Sequence, residues 1–198
     1  MDTYKTIDIT AEGLYKDKGS KFLSSVHHVE SVDEAMAIVA EYRRRYYDAR
    51  HVCYAYMLGA ARDTFRANDD SEPSGTAGRP ILGQINSACL TDVLVIVVRY
   101  FGGVLLGTSG LIVAYRTAAA DAIANAQVVE RIIEGRVEVR YGYSVMSYVM
   151  RVVKDTQARI VSQQQLEECL LEVSIRQDMV ENFVSRFNDV KGVNVKVL

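Results

Sequence analysis

The chain has 198 residues, 49% of them hydrophobic and 24% charged, the balance of a globular protein able to bury a substantial core. Net charge is −2 and is not segregated: residues 1–130 carry 13 basic and 16 acidic side chains, and residues 131–198 carry 10 and 9, which argues against a strong non-specific nucleic-acid binder with a basic domain. No long uncharged apolar run predicts a membrane span, MDTYKTIDIT lacks the basic start and apolar core of a signal peptide, and Cys53, Cys89 and Cys169 are too few and too scattered for a disulfide framework or a zinc cage, so a cytoplasmic protein with reduced thiols is expected.

Residues Tyr4–Thr10 alternate weakly and predict an edge strand. Glu12–Gly19 reads as a charged turn, and Lys21–Val29 as a second strand. Ser31-Val-Asp-Glu34 is a capping box: the Ser31 hydroxyl can accept from the Glu34 amide while the Glu34 carboxylate reaches back. The helix it opens should bury Val32, Ala35, Met36, Val39 and Tyr42. Arg43, Arg44 and Arg45 fall in its last turns, where cations oppose the negative end of the helix dipole; an RNA-binding patch is the alternative. His51–Leu58 is aromatic and β-branched enough for a third strand.

Pro80 can open a helix that buries Ile81, Leu82, Ile85 and Cys89. From Asp92 to Arg99 run six consecutive apolar residues, a strand covered on both faces. A helix follows from about Ser109 to Val128, with Leu111, Tyr115, Ala118, Ala122 and Ala126 on its inner face. Beyond Glu130 short strands alternate with short helices. Arg136–Tyr141, Ala158–Ser162, Leu170–Arg176 and Val193–Leu198 read as strands, with helices over Ser144–Lys154 and Asp178–Asn188, the second opened by a capping-box-like Asp178-Met-Val-Glu181. That β-α-β-β-α-β order predicts a ferredoxin-like domain over 131–198, after a first domain over 1–130. Limited proteolysis should nick the junction between them.

Arg66 to Arg116 contains both prolines, Pro73 and Pro80, and seven of the 13 glycines, so special backbone positions crowd either side of the central strand. In the first loop Asp69, Asp70 and Glu72 could hold a hard cation, but a calcium loop needs ligands at regular alternate positions. Hydrogen bonds to backbone amides, or pairing with Arg79 or Arg99, fit those carboxylates better. After Pro73, Ser74-Gly75-Thr76-Ala77-Gly78 forms either a nest of amides for an anion or a run of turns before the helix. In the second loop the strand ends in Arg99, passes Gly102 and Gly103, and enters a helix through Gly107, Thr108, Ser109 and Gly110, an arrangement suited to phosphate. Arg99, with Arg79 and Arg116, would add charge. There is no Walker lysine, no dinucleotide spacing and no nucleophile–base pair, and no metal or cofactor is implied.

DDSEPSGTAGRPIL followed by VRYFGGVLLGTSGLIVAY resembles the paired signature of the IMPACT, or YigZ-like, family, with further likeness at KGSKF and HVCYAY. Ser71 and Ser109 stand where that pattern has glycine, and Val113 where it has arginine. The resemblance makes His51 a secondary site candidate. It also implies an α+β protein with two parts. The first would be similar to the second domain of a small-subunit ribosomal protein, the second to the fifth domain of the ribosomal translocase. Eukaryotic members bind a large ribosome-associated activator of a translation-factor kinase through a chain with an extra N-terminal domain, so RNA, the ribosome or a ribosome-associated protein is the expected partner here.

Three functions are open. One is a non-catalytic translation-associated regulator. The second is a small-molecule or nucleotide phosphate enzyme using the Gly-rich loop, and the third a protein-interaction scaffold. The first expects the two loops to face each other at the end of the central strand and bind RNA phosphate without turnover. Asp69, Asp70 and Glu72 would then repel indiscriminate polyanions, and Arg99→Ala should weaken binding while leaving the fold intact.

Overall fold

A computed structural model gives the fold for residues 2–165 and 167–198. The chain divides into two compact units, Tyr4–Arg131 and Ile132–Leu198, the latter taking in the first residues of the chain as well. Both combine helices with antiparallel sheet, so the protein is α+β.

The first unit runs β1 (Thr3–Ile7), β2 (Ala11–Asp17), β3 (Ser20–His28), α1 (Val32–Arg45), β4 (His51–Leu58), β5 (Thr64–Asn68), α2 (Gly78–Ser87), β6 (Val93–Tyr100), α3 (Gly107–Ala124) and β7 (Val128–Ile132). Its main sheet has the order β2-β3-β6-β4-β5, every neighbouring pair antiparallel, and β1 pairs with β7 in a separate two-stranded sheet. Strand β6 lies at the centre and is buried on both faces, as its apolar run implies. Val93, Val95 and Val97 pack with Cys53, Ala55, Ile81, Ile85, Leu111 and Tyr115 beneath α2 and α3. Leu94, Ile96 and Val98 pack with Ala35, Val39, Tyr42 and Tyr54 beneath α1. Period-two alternation thus carries one strand through two cores.

Several local expectations are corrected. Glu12–Gly19 is not a turn: β2 fills most of it, an edge strand whose charged side chains reach solvent while Gly13 lets the backbone of α3 approach closely. The turn is confined to Lys18 and Gly19, both with positive φ (44° and 78°), the geometry of a two-residue hairpin. Strands β5 and β7 were not expected. Val32 and Cys89 are exposed rather than buried, and Cys89 lies just past α2 with φ 54°. At the start of α1 the Ser31 hydroxyl accepts from the Glu34 amide at 3.2 Å, and the Glu34 carboxylate accepts from the Glu30 amide at 2.9 Å.

The second unit runs β8 (Glu134–Tyr141), α4 (Met146–Asp155), β9 (Arg159–Gln165), β10 (Cys169–Arg176), α5 (Val180–Ser185) and β11 (Val193–Val197), with a 3₁₀ turn before each helix. The sheet order is β11-β8-β10-β9, antiparallel throughout. Val137, Val139, Tyr141, Leu171 and Val173 face Val149, Val152, Val180 and Phe183 of the helices. Arg136, Glu138, Arg140 and Glu172 alternate onto the other face, where Arg136 pairs with Glu172 at 2.8 Å and Arg140 with Glu138 at 2.9 Å. Asp178 does not cap α5: it falls in the 3₁₀ turn, and the residue at the cap position, Met179, makes no side-chain bond to the helix.

Candidate functional site

Strand β6 delivers Arg99 to the end of the sheet with its side chain on the α3 face, because Arg99 continues the alternation of Val95 and Val97. Antiparallel pairing puts His51 of β4 opposite Arg99. The segment between β5 and α2 folds over this end. Asp69 organises it: its carboxylate accepts from the amides of Gly75 (2.8 Å), Ala77 (3.0 Å) and Gly78 (2.8 Å). Burial opposes ionisation of Asp69, but those three amides and the positive potential of Arg79 outweigh it and hold the carboxyl below its ordinary range. Thr76 closes the loop by donating its hydroxyl to the Pro73 carbonyl at 2.7 Å. Gly78 leaves room for the backbone of Asn68, which a Cβ would strike.

Glu72, held by this loop, is buried and gathers three partners. Arg99 Nη1 lies 2.6 Å from its Oε1, the Tyr115 hydroxyl donates to the same oxygen at 2.7 Å, and His51 Nε2 stands at 3.7 Å. His51 Nδ1 is 2.8 Å from the Asp70 carbonyl, which can only accept, so Nδ1 carries a proton. Arg99 is enclosed further by the rings of Phe22 and Phe101, 5.5 and 5.8 Å from its guanidinium carbon. Its Nε is buried and has no hydrogen-bond partner among the described residues.

The carboxylates bond backbone amides and pair with Arg99, as their setting in the sequence suggests, and these contacts correct two other expectations. Arg99 is not a free surface cation, since its charge is taken up by Glu72. Nor do the three acidic residues form a repelling surface: Asp69 binds amides, Glu72 is internal, and Asp70 pairs with Arg43 at 2.8 Å while accepting from the Val52 amide at 2.7 Å. No group of three or more His, Cys, Asp or Glu suited to a metal ion occurs among the described residues. Cys53 donates to the Asp69 carbonyl at 3.0 Å, and burial pushes its thiol well above the ordinary cysteine range, so it is not a ready nucleophile. Burial and the neighbouring Cys53 and Glu72 raise the Tyr115 hydroxyl likewise.

Above this buried network lies a cleft of about 1150 Å³, lined by Asp48–His51, by Ser71–Pro73, by Arg99–Phe101, by Leu105–Thr108 and by Leu111, with the Asp48 carboxylate accepting from the Tyr100 hydroxyl at 2.9 Å. The two motif loops therefore meet at the end of β6. Gly107 and Thr108 begin α3, whose N-terminus has no side-chain cap among the described residues, which leaves its first amides to serve a ligand in the cleft. Ser109 and Gly110 lie in the same first turn, Gly110 against Leu106. Gly102 serves packing instead. Its amide donates to the Ser20 hydroxyl at 3.2 Å, and it sits so closely on the β2–β3 hairpin that a Cβ would strike the backbone of Gly19 and Ser20. Gly103 needs its glycine for φ 89°.

Arg79 and Arg116 do not reach the cleft; they line a separate groove with Gly75, Pro80, Gly83, Gln84 and Ser87. Arg50 was not foreseen, since a lone arginine before a strand carries no sequence signal. Its amide donates to the Arg99 carbonyl at 3.0 Å, which fixes it at the rim, and its side chain is exposed. Phe101 is about half exposed on the rim, and Leu105 projects beside it at 81% exposure. Ser71, where the related pattern has glycine, takes φ 70°, a left-handed conformation that explains the glycine preference there.

Residues 18–123 match the family model described as the Impact N-terminal domain, a span that contains the whole cleft. The chain is similar to the IMPACT family member YigZ of Escherichia coli (strain K12), 43% identical over 100 residues, covering 50% of this chain and 49% of that one. It is also similar to an IMPACT family member of Haemophilus influenzae, 30% identical over 181 residues, covering 87% of this chain and 84% of the other. A crystal structure of a hypothetical protein superposes with a TM-score of 0.78 at 26% identity, covering 100% of this chain and 98% of that one.

Proposed function

The chain belongs to the IMPACT family, and from that premise we propose that it is a non-catalytic, translation-associated regulator whose cleft at the end of β6 binds RNA phosphate. The observation that carries this reading is the composition of the cleft. Free amides at the start of an 18-residue helix, the exposed guanidinium of Arg50 and the exposed ring of Phe101 line one depression. The amides and the cation suit a phosphate oxygen. The ring, held from beneath by Arg99, offers its other face to a base, the pairing of groove and aromatic platform by which unpaired strands are held.

The groups that could serve as acid, base or nucleophile beneath the cleft are already engaged with one another, which favours binding over turnover. The reading also takes the first unit as similar to the second domain of a small-subunit ribosomal protein. The β-α-β-β-α-β unit would be ferredoxin-like, in the manner of the translocase's fifth domain, in a cytoplasmic protein.

The test is a salt titration of a labelled single-stranded RNA with wild type, Arg50→Gln and Phe101→Ala. Arg50→Gln should weaken binding and flatten the dependence of log K on log salt by about 0.7, one phosphate contact on a single strand. Phe101→Ala should weaken binding by about 1–3 kcal/mol without changing that slope. Absence of binding at low salt, or identical behaviour of all three proteins, would overturn the assignment.

A further inference from the structure

Arg79 of α2 and Arg116 of α3 both line a groove of about 530 Å³, separate from the cleft. Both side chains are exposed, and neither has an ion pair among the described residues. The carboxylate nearest in effect to Arg79, Asp69, is engaged by the amides of Gly75, Ala77 and Gly78. The two arginines, from different helices, line this groove with no carboxylate beside them among the described residues, so its charge is positive. Gln84 and Ser87 add uncharged polar groups to the same walls. An oxyanion that accepts from both arginines at once, such as a phosphate, suits such a groove.

Cleft and groove are linked twice. The loop that Asp69 holds shows Pro73 to the cleft and Gly75 to the groove. Helix α3 shows Thr108 to the cleft and Arg116 to the groove, a rise of ~12 Å along the helix. One phosphate cannot occupy both positions, but successive phosphates of one strand can. We infer that the groove is a second phosphate subsite for the same RNA, which crosses the Pro73–Gly75 ridge on its way from the cleft. This rests on the RNA reading of the cleft and extends it from a single anion to a strand.

The experiment compares a uridine mononucleotide with a uridylate eight-mer on wild type, on the double variant Arg79→Gln/Arg116→Gln, and on Arg50→Gln. With the eight-mer the double variant should lose about 1.4 from the salt slope, roughly a sevenfold difference in how far binding falls between 50 and 200 mM salt. Mononucleotide binding should be governed by the cleft, where the Phe101 ring adds a stacking contact that the groove lacks, and so be little changed in the double variant and weakened in Arg50→Gln. Equal eight-mer affinity and slope in wild type and the double variant, with Arg50→Gln still weakened, would overturn the groove and leave the cleft standing. Loss of mononucleotide binding in the double variant would make the groove a site for a free anion and overturn the strand. If wild type binds neither probe at 50 mM salt, both readings fall.

Discussion

Arg99 shows how far one side chain's surroundings can reverse an inference drawn from its type. At the end of a strand beside a Gly-rich loop, an arginine suggests an anion ligand. Here it lies between two rings with its Nη1 on Glu72, and both partners are almost wholly buried. Arg99→Ala would leave the Glu72 carboxylate buried without its cation, so the variant should be destabilised by about 3–5 kcal/mol in urea denaturation. A loss below about 1 kcal/mol, typical of an exposed pair, would show that the pair is solvated. Asp69 gives a pH signature. Its folded-state pKa lies below the ordinary value of 3.8, so its contribution to stability is complete above that value. The contribution disappears as pH falls past 3.8 and through the lower folded value. Asp69→Asn, which keeps one carbonyl acceptor for the loop amides, should be less stable at neutral pH and should lose less stability on acidification than wild type. Parallel acid profiles for the two proteins would remove Asp69 as the source.

The elements that shape the cleft were legible to different degrees. The six apolar residues of β6 and the alanine-lined face of α3 announce themselves, because burial on both faces of a strand and close helix–sheet packing leave few sequence alternatives. Extending the β6 alternation by one step would have assigned Arg99 to the α3 face. What the alternation cannot supply is Glu72, which reaches Arg99 only because Asp69 folds the intervening loop. Strand β2 was hidden by its charges, which an edge strand tolerates on its open side, and β5 and β7 are only five residues each. The glycines were correctly seen as special, but sequence alone does not separate backbone contact from ligand contact. Gly102 belongs to the first kind. Gly102→Ala should push the Phe101–Gly107 loop away from the Ser20 hairpin, lowering stability by about 1–3 kcal/mol as an overpacking change and weakening RNA binding through misplacement of Phe101. Gly103→Ala meets no neighbour, so its penalty should come from φ alone, about 1–2 kcal/mol. Equal damage from both substitutions, with RNA binding untouched, would show that close packing at Gly102 does not position the rim.

At the scale of the whole chain, the two units have separate cores. Val93–Val98 with the helices on either side build the two cores of the larger unit, and Val137, Leu171, Val149 and Phe183 build that of the smaller. The smaller unit also draws on the start of the chain: the Ile133 amide donates to the Asp2 carbonyl at 2.6 Å and Arg176 pairs with the Asp2 carboxylate at 3.2 Å. A core of that size is marginal by surface-to-volume scaling, so the smaller unit should unfold first in urea. The chain has no tryptophan, so amide resonances of Val139 and Val95 can report the two units separately. Cleft and groove are both built from residues of the larger unit. A ligand held there stabilises only the unit that binds it, by about 2.7 kcal/mol at a free concentration one hundred times Kd. Adding the RNA eight-mer should therefore move the Val95 transition to higher urea and leave the Val139 transition in place. The paired charges Arg136–Glu172 and Arg140–Glu138 on the open face of the smaller sheet leave little net potential to attract a phosphate strand, which is why no shift is expected there. A shift of the Val139 transition alone would locate the RNA on the smaller unit and remove the cleft from the binding surface. A single transition reported by both residues would show instead that the two units unfold as one.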